Sequence, residues 1–177
     1  MRILRFLIFY FYHRLSANDQ ARFLHLDQGI FRRSLQNLHS VIYVPSVGES
    51  HRARPRVYHT SFSDFLKDPN RSGKFWLNPD AAMNDVALQS LHWMENDDRS
   101  QSNETLIEFS VLHGWHACWN LPNDFIPGLI NRLEHFNFSH ITQAHIIADD
   151  VAKLLKRLYS LVRKHLQQIP HLCHSRE

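Results

Sequence analysis

Glycine is scarce in this chain, five in 177 residues, and none of the five opens a phosphate-binding loop. The only Gly-Lys pair, Gly73-Lys74, lacks both the upstream glycine and the following hydroxyl that a phosphate cradle requires. An autonomous P-loop NTPase is therefore excluded. No Gly-x-Ser-x-Gly elbow, His-Glu-x-x-His or Cys-x-x-Cys is present, which leaves hydrolase and zinc-protease chemistry without residues to run on. Two cysteines, Cys118 and Cys173, are too few for a disulfide framework and point to a reducing, cytoplasmic setting. Long apolar runs are missing too. The apolar stretch Phe6 to Tyr12 falls far short of the roughly 20 residues that span a bilayer, and His13-Arg14-Leu15 offers no small-residue cleavage point. Residues 1–14 are expected to form a buried helix or to mark a start within a longer parent chain.

Charge of one sign is lacking as well. Twenty basic against seventeen acidic residues leave +3, with the positive side chains scattered among acids, so an ordinary solvated surface is expected and nucleic acid and membrane are unfavoured as partners. What the chain does have is 44% hydrophobic content laid out in periodic segments, enough for one core and a predominantly helical class.

Ser16-Ala17-Asn18-Asp19 has the Ser-x-x-acid form of a helix start, predicting a helix to about Leu26. Asp27 caps a second, with Ile30, Phe31, Leu35 and Leu38 on one apolar face. Val41 to Val44 is β-branched and aromatic, Pro45 stops it, and Arg56-Val57-Tyr58-His59 supplies a partner strand after a turn-rich run. Helix, helix, strand, loop, strand is the order of a winged helix. Ser61 is then expected to cap a short helix, with Asp64 in its first turn and Phe62, Phe65 and Leu66 as its buried side. Asp68-Pro69 ends it. In the loop Asn70 to Pro79, Phe75 and Trp76 are expected to pin the chain to the core.

From Asp80 onward only helices are predicted: Asp80 to Met94, with Met83, Ala87, Leu91 and Met94 in line; Asn103 to Trp119; Pro122 to Phe136; and Ser139 to about Gln168, whose Ile147, Val151, Leu154, Leu158 and Leu161 form a packing stripe. The expected fold is mainly α with a small β wing, a winged-helix-like module followed by a helical bundle. The expected divisions are an apolar segment 1–14, a winged-helix-like domain 15–79, a helical domain 80–168 and a tail 169–177.

Fourteen histidines make chance clusters common. His113, His116 and Cys118 lie within two helical turns but lack an acidic or cysteine-pair companion, and His171, Cys173 and His174 sit at the C-terminal end, so no metal is assigned. Arg32 and Arg33 stand where a winged-helix DNA reader places its base contacts, yet no basic stripe flanks them. Trp115 and Trp119, four apart on one helix, read as core. No catalytic residues are assigned.

Leu38 to Pro45, Arg56 to His59 and the run Thr60-Ser61-Phe62-Ser63-Asp64-Phe65-Leu66-Lys67-Asp68-Pro69-Asn70-Arg71-Ser72 resemble the segment that follows the NACHT nucleotide-binding domain in fungal STAND-type, NOD-like-receptor-like proteins. There a short hairpin leads into a helix written roughly His-x-Ser-Phe-x-Asp-Phe-Leu. The resemblance covers roughly Gly29 to Phe138. It implies a non-catalytic regulatory module whose partner is a NACHT domain or another protein surface, and which takes ADP or ATP only through a NACHT domain that this chain does not contain. In the related NB-ARC regulators a winged-helix histidine of a Met-His-Asp motif approaches the β-phosphate of bound ADP; the resemblance implies that place for His59, with Tyr58 and Thr60 where that motif has methionine and aspartate. The residues alone leave a second role open, in which His59 bonds the backbone or Asp64 and locks the turn. The alternative for the whole chain is a stand-alone winged-helix DNA-binding or protein-interaction module.

Overall fold

The computed structural model describes residues 1–11, 15–95 and 101–137, with Lys156, Tyr159, Ser160 and Arg163, which are helical, beyond them. Helix α1 (Arg2–Phe9) buries Ile3, Phe6, Leu7 and Ile8, an i, i+3, i+4 stripe. Ser16 opens α2 (Ala17–Phe23), its Oγ accepting from the Asp19 amide at 3.1 Å. The helix ends before Leu26 because His25 takes a left-handed backbone, φ 53°. Asp27 Oδ1 accepts from the Ile30 amide at 3.0 Å and opens α3 (Gln28–Gln36). Phe31 and Leu35 of α3 are buried as expected, but Ile30 is 47% exposed, so the core face of α3 is narrower than its apolar spacing suggests.

Strands β1 (Ile42–Tyr43) and β2 (Arg56–Val57) pair antiparallel, Ile42 opposite Val57 and Tyr43 opposite Arg56. The connecting loop holds a single 3₁₀ turn, Val47–Glu49, closed by Ser46 and Glu49 bonding each other's backbone. Two residues after β2 the chain turns into α4 (Thr60–Lys67). Asp68 ends it and caps α5 (Pro69–Ser72), where Pro69 takes the first helical position.

Residues 70–79 are not a plain loop. After α5 comes a 3₁₀ turn, Gly73–Phe75, entered through Gly73 at φ 50°. Phe75 is 53% and Trp76 37% exposed, and the anchor is Leu77, fully buried, its amide donating to the Leu66 carbonyl at 2.9 Å. Alternation along the extended backbone explains the correction: with Leu77 turned inward, the neighbouring indole must face out.

Helices α6 (Pro79–Glu95) and α7 (Gln101–Asn120) make the most extensive pairing among the described elements. Helix α6 buries residues on more than one side, among them Ala82, Val86, Ala87, Ser90, Leu91, Trp93 and Met94, because α1, α2, α7 and α8 (Ile126–Glu134) all pack on it. Arg132 of α8 pairs with Glu95 at the end of α6. Three rings from three helices meet at the centre: Phe6–Phe23 at 5.2 Å, Phe23–Phe109 at 4.9 Å and Phe6–Phe109 at 5.7 Å between centroids. Trp93 Nε1 donates to the Phe23 carbonyl at 3.3 Å and joins α6 to the same cluster.

The architecture is mainly helical with one small two-stranded sheet. Residues Met1–Phe138 form one compact unit, so the expected boundaries at 14/15 and 79/80 lie inside it; Ser139–Glu177 form a second. The stripe from Ile147 to Leu161 and the tail 169–177 lie outside the described residues. No helix among the described residues is long and apolar enough to cross a membrane.

Candidate docking site

Strand β2 is held by β1 at Ile42–Val57, and the Tyr58 amide extends the pairing by donating to the Val41 carbonyl at 3.0 Å. The backbone is still extended at His59, φ −127°, ψ 134°, and the next residue is already helical. His59 is therefore the N-cap of α4, and its carbonyl accepts from the Phe62 amide at 3.2 Å. Its side chain makes no cap hydrogen bond and stands exposed beside Tyr58. The lock through Asp64 is not formed.

Two expectations about α4 need correction. Ser61 is not the cap: it is the second helical residue and is exposed. Asp64 is the fifth, so the first turn holds no acid and the carboxylate is exposed beyond the free amides it was expected to serve. Both shifts have one cause, since β pairing reaches Tyr58 and the helix begins as soon as that ladder ends.

The apolar side of α4 behaves as its spacing indicates. Leu66 is buried with Ile8 and Leu77, and Phe62, Phe65, Val57, Leu4 and Phe9 pack around them half-buried. Burial of such side chains contributes roughly 1.5–3 kcal/mol each. The partner is α1, which supplies Leu4, Ile8 and Phe9. Lys67 Nζ lies 5.4 Å from the Phe9 ring centroid and the Arg71 guanidinium 5.9 Å from that of Phe65, closing the rim. The Ile3, Phe6, Leu7 spacing of residues 1–14 signalled a buried face, but nothing local signalled that α4 would be what covers its far side. The structure thus separates the motif: Phe62, Phe65 and Leu66 are turned to α1, while Tyr58, His59, Ser61 and Asp64 remain exposed.

The remaining candidates separate similarly. His113 packs its ring 4.7 Å from that of Phe109, His116 is exposed and Cys118 is buried. Among the described residues no group of three or more His, Cys, Asp or Glu is placed to hold a metal ion. His171, Cys173 and His174 lie outside the described residues. Trp115 is half-buried, edge-on to Phe136 at 6.0 Å, whereas Trp119 is 39% exposed, so only Trp115 is part of the core. Arg32 is turned inward, its Nη1 donating to the Pro45 carbonyl at 2.6 Å and to Ser50 Oγ at 3.1 Å.

Comparison with protein-family models, curated proteins and solved structures returned no match to this chain.

Proposed function

We propose that the chain is a non-catalytic regulatory module that docks on a separate nucleotide-holding protein, with the β2–α4 junction as its contact. The observation that carries this is His59: an imidazole without a cap bond, exposed where a strand becomes a helix, on a backbone tied to β1. An imidazole N–H in that place is able to donate to a phosphate oxygen or carboxylate of a partner, and protonation strengthens the contact. The apolar face of α4 is already taken by α1, so docking uses Tyr58, His59, Ser61 and Asp64. In a NACHT-type protein such a junction couples nucleotide state to conformation, a two-state element biased by ADP or ATP. The junction then meets nucleotide only on the partner, and a cytoplasmic location belongs to the same proposal.

The genomic sequence upstream of Met1 supplies the first check, because an in-frame Gly-x-x-x-x-Gly-Lys-Ser/Thr region would encode the partner. Expressed separately and loaded with ADP, that region is expected to bind this chain in calorimetry, with His59→Ala weakening the complex about tenfold, the loss of one charge-assisted hydrogen bond. Binding indifferent to His59 would overturn the assignment.

A further inference from the structure

Between α3 and β1 lies a cleft of about 570 Å³ lined by Gly29, Arg32, Arg33, Gln36, His39 and Val44. The first four fall at helical spacing along one face of α3. The volume is in the range of small-molecule pockets, and the lining combines two guanidinium groups, an imidazole and an amide with no carboxylate. We propose that this cleft is a binding site for a small phosphate-bearing ligand.

Arg32 and His39 are positioned rather than loose. Arg32 is fixed by the Pro45 carbonyl and the Ser50 hydroxyl, and that hydroxyl is itself held by donating to the Ser46 carbonyl at 2.7 Å. Only Nη1 is used in these bonds, which leaves the rest of the guanidinium fork for a ligand. Arg33 makes no ion pair among the described residues. Its side chain is exposed and its guanidinium lies close to Gly29, where a Cβ would be 3.3 Å from Arg33 Nη1. The same Cβ would lie 3.0 Å from Asp27 Oδ1, so one carboxylate borders the cleft at its Arg33 end, against the two guanidinium groups and the imidazole that line it. His39 Nδ1 lies 2.8 Å from the Gln36 carbonyl, which only accepts, so Nδ1 carries the proton and the ring is oriented.

A phosphate group, with its oxygens and double charge, matches two guanidinium forks better than a single carboxylate does. The concave shape and the inward commitment of Arg32 to the wing loop favour a compact ligand over a duplex, whose phosphates need an open basic face. No residue of the β2–α4 junction takes part, so failure here leaves the docking proposal standing.

Calorimetry on the full chain at low salt tests it, with phenyl phosphate, inorganic pyrophosphate and a short DNA duplex as probes. Saturable binding of either phosphate compound supports the site, provided that Arg33→Gln weakens it about tenfold while Arg71→Gln, an equal loss of charge elsewhere, leaves it unchanged. Absence of binding by both phosphate compounds, equal losses in Arg33→Gln and Arg71→Gln, or a duplex that binds more tightly and displaces phenyl phosphate would each overturn the proposal.

Discussion

Ser90 of α6 and Gly114 of α7 meet where the two helices have no room for one more methyl group. A Cβ on Gly114 would overlap the Ser90 Cβ, lie 2.9 Å from Ser90 Oγ and reach 3.4 Å from Met94 Cε. Ser90 is fully buried and its hydroxyl has no hydrogen-bond partner, so size rather than polarity accounts for it there. Gly114→Ala is expected to destabilise the protein by about 1–3 kcal/mol from overpacking, against at most about 1 kcal/mol gained from helix propensity. Adding Ser90→Gly should restore most of the loss in urea unfolding followed by circular dichroism. Strictly additive effects of the two substitutions would show that the helices do not touch at this point.

Leu77 and its aromatic neighbours provide a second test. Leu77→Ala should cost about 2–5 kcal/mol, as for a buried leucine whose cavity cannot collapse. Phe75→Ala and Trp76→Ala are each expected to cost less than Leu77→Ala, because Phe75 is 53% and Trp76 37% exposed where Leu77 is fully buried. A larger loss for Trp76 than for Leu77 would reverse the assignment of the anchor.

Helix α1 is held to α6 by more than its apolar face. Arg5 Nη1 donates to Asp85 Oδ2 at 2.7 Å and Arg2 Nε lies 3.7 Å from the same carboxylate. Both members of the closer pair are about three-quarters buried, so a double-mutant cycle of Arg5→Gln and Asp85→Asn should give a coupling of about 1 kcal/mol that shrinks in high salt. Zero coupling at low salt would leave α1 held by its hydrophobic stripe alone.

Acid sensitivity should localise to His25. Its ring lies 4.4 Å from that of His92 and stacks on Trp93 at 5.6 Å. Burial lowers its pKa below the ordinary 6.5, and the charges of His92 and Arg2 lower it further. The unfolded chain therefore takes up this proton first as pH falls. The stability present above about pH 6.5 declines through the window below it, down to the depressed folded value. His25→Asn keeps a residue tolerant of the left-handed backbone and should flatten that part of the stability-against-pH curve. An unchanged slope in the variant would move the effect to another group.

Several features were legible in the chain because their causes are local. Ser16 and Asp27 mark helix starts since a hydroxyl or carboxylate reaches amides three residues ahead whatever lies elsewhere, and Asp68-Pro69 marks the end of α4 because a proline restricts the residue before it. The order of helices and strands in the wing and the helical character of the described elements from Pro79 to Glu134 follow from side-chain period and β-branching in the same way. The presence of α4 and the apolar face of Phe62, Phe65 and Leu66 were visible on those terms.

The cap of α4 was not, because it depends on where pairing with β1 stops; a strand partner 15 residues away in sequence, Ile42 opposite Val57, decides whether His59 or Ser61 is the last extended residue. Nor could local pattern choose Leu77 over Trp76, or show Ile30 facing outward, since inside and outside are defined only by the element opposite. The contact of α1 with α4 is another such decision. Both helices carry apolar stripes, and a stripe states only that something must cover it. Hydrophobic burial is non-directional, so which stripe meets which is settled by chain connectivity and shape together. That pairing is what leaves His59 and Tyr58 outward at the end of the wing.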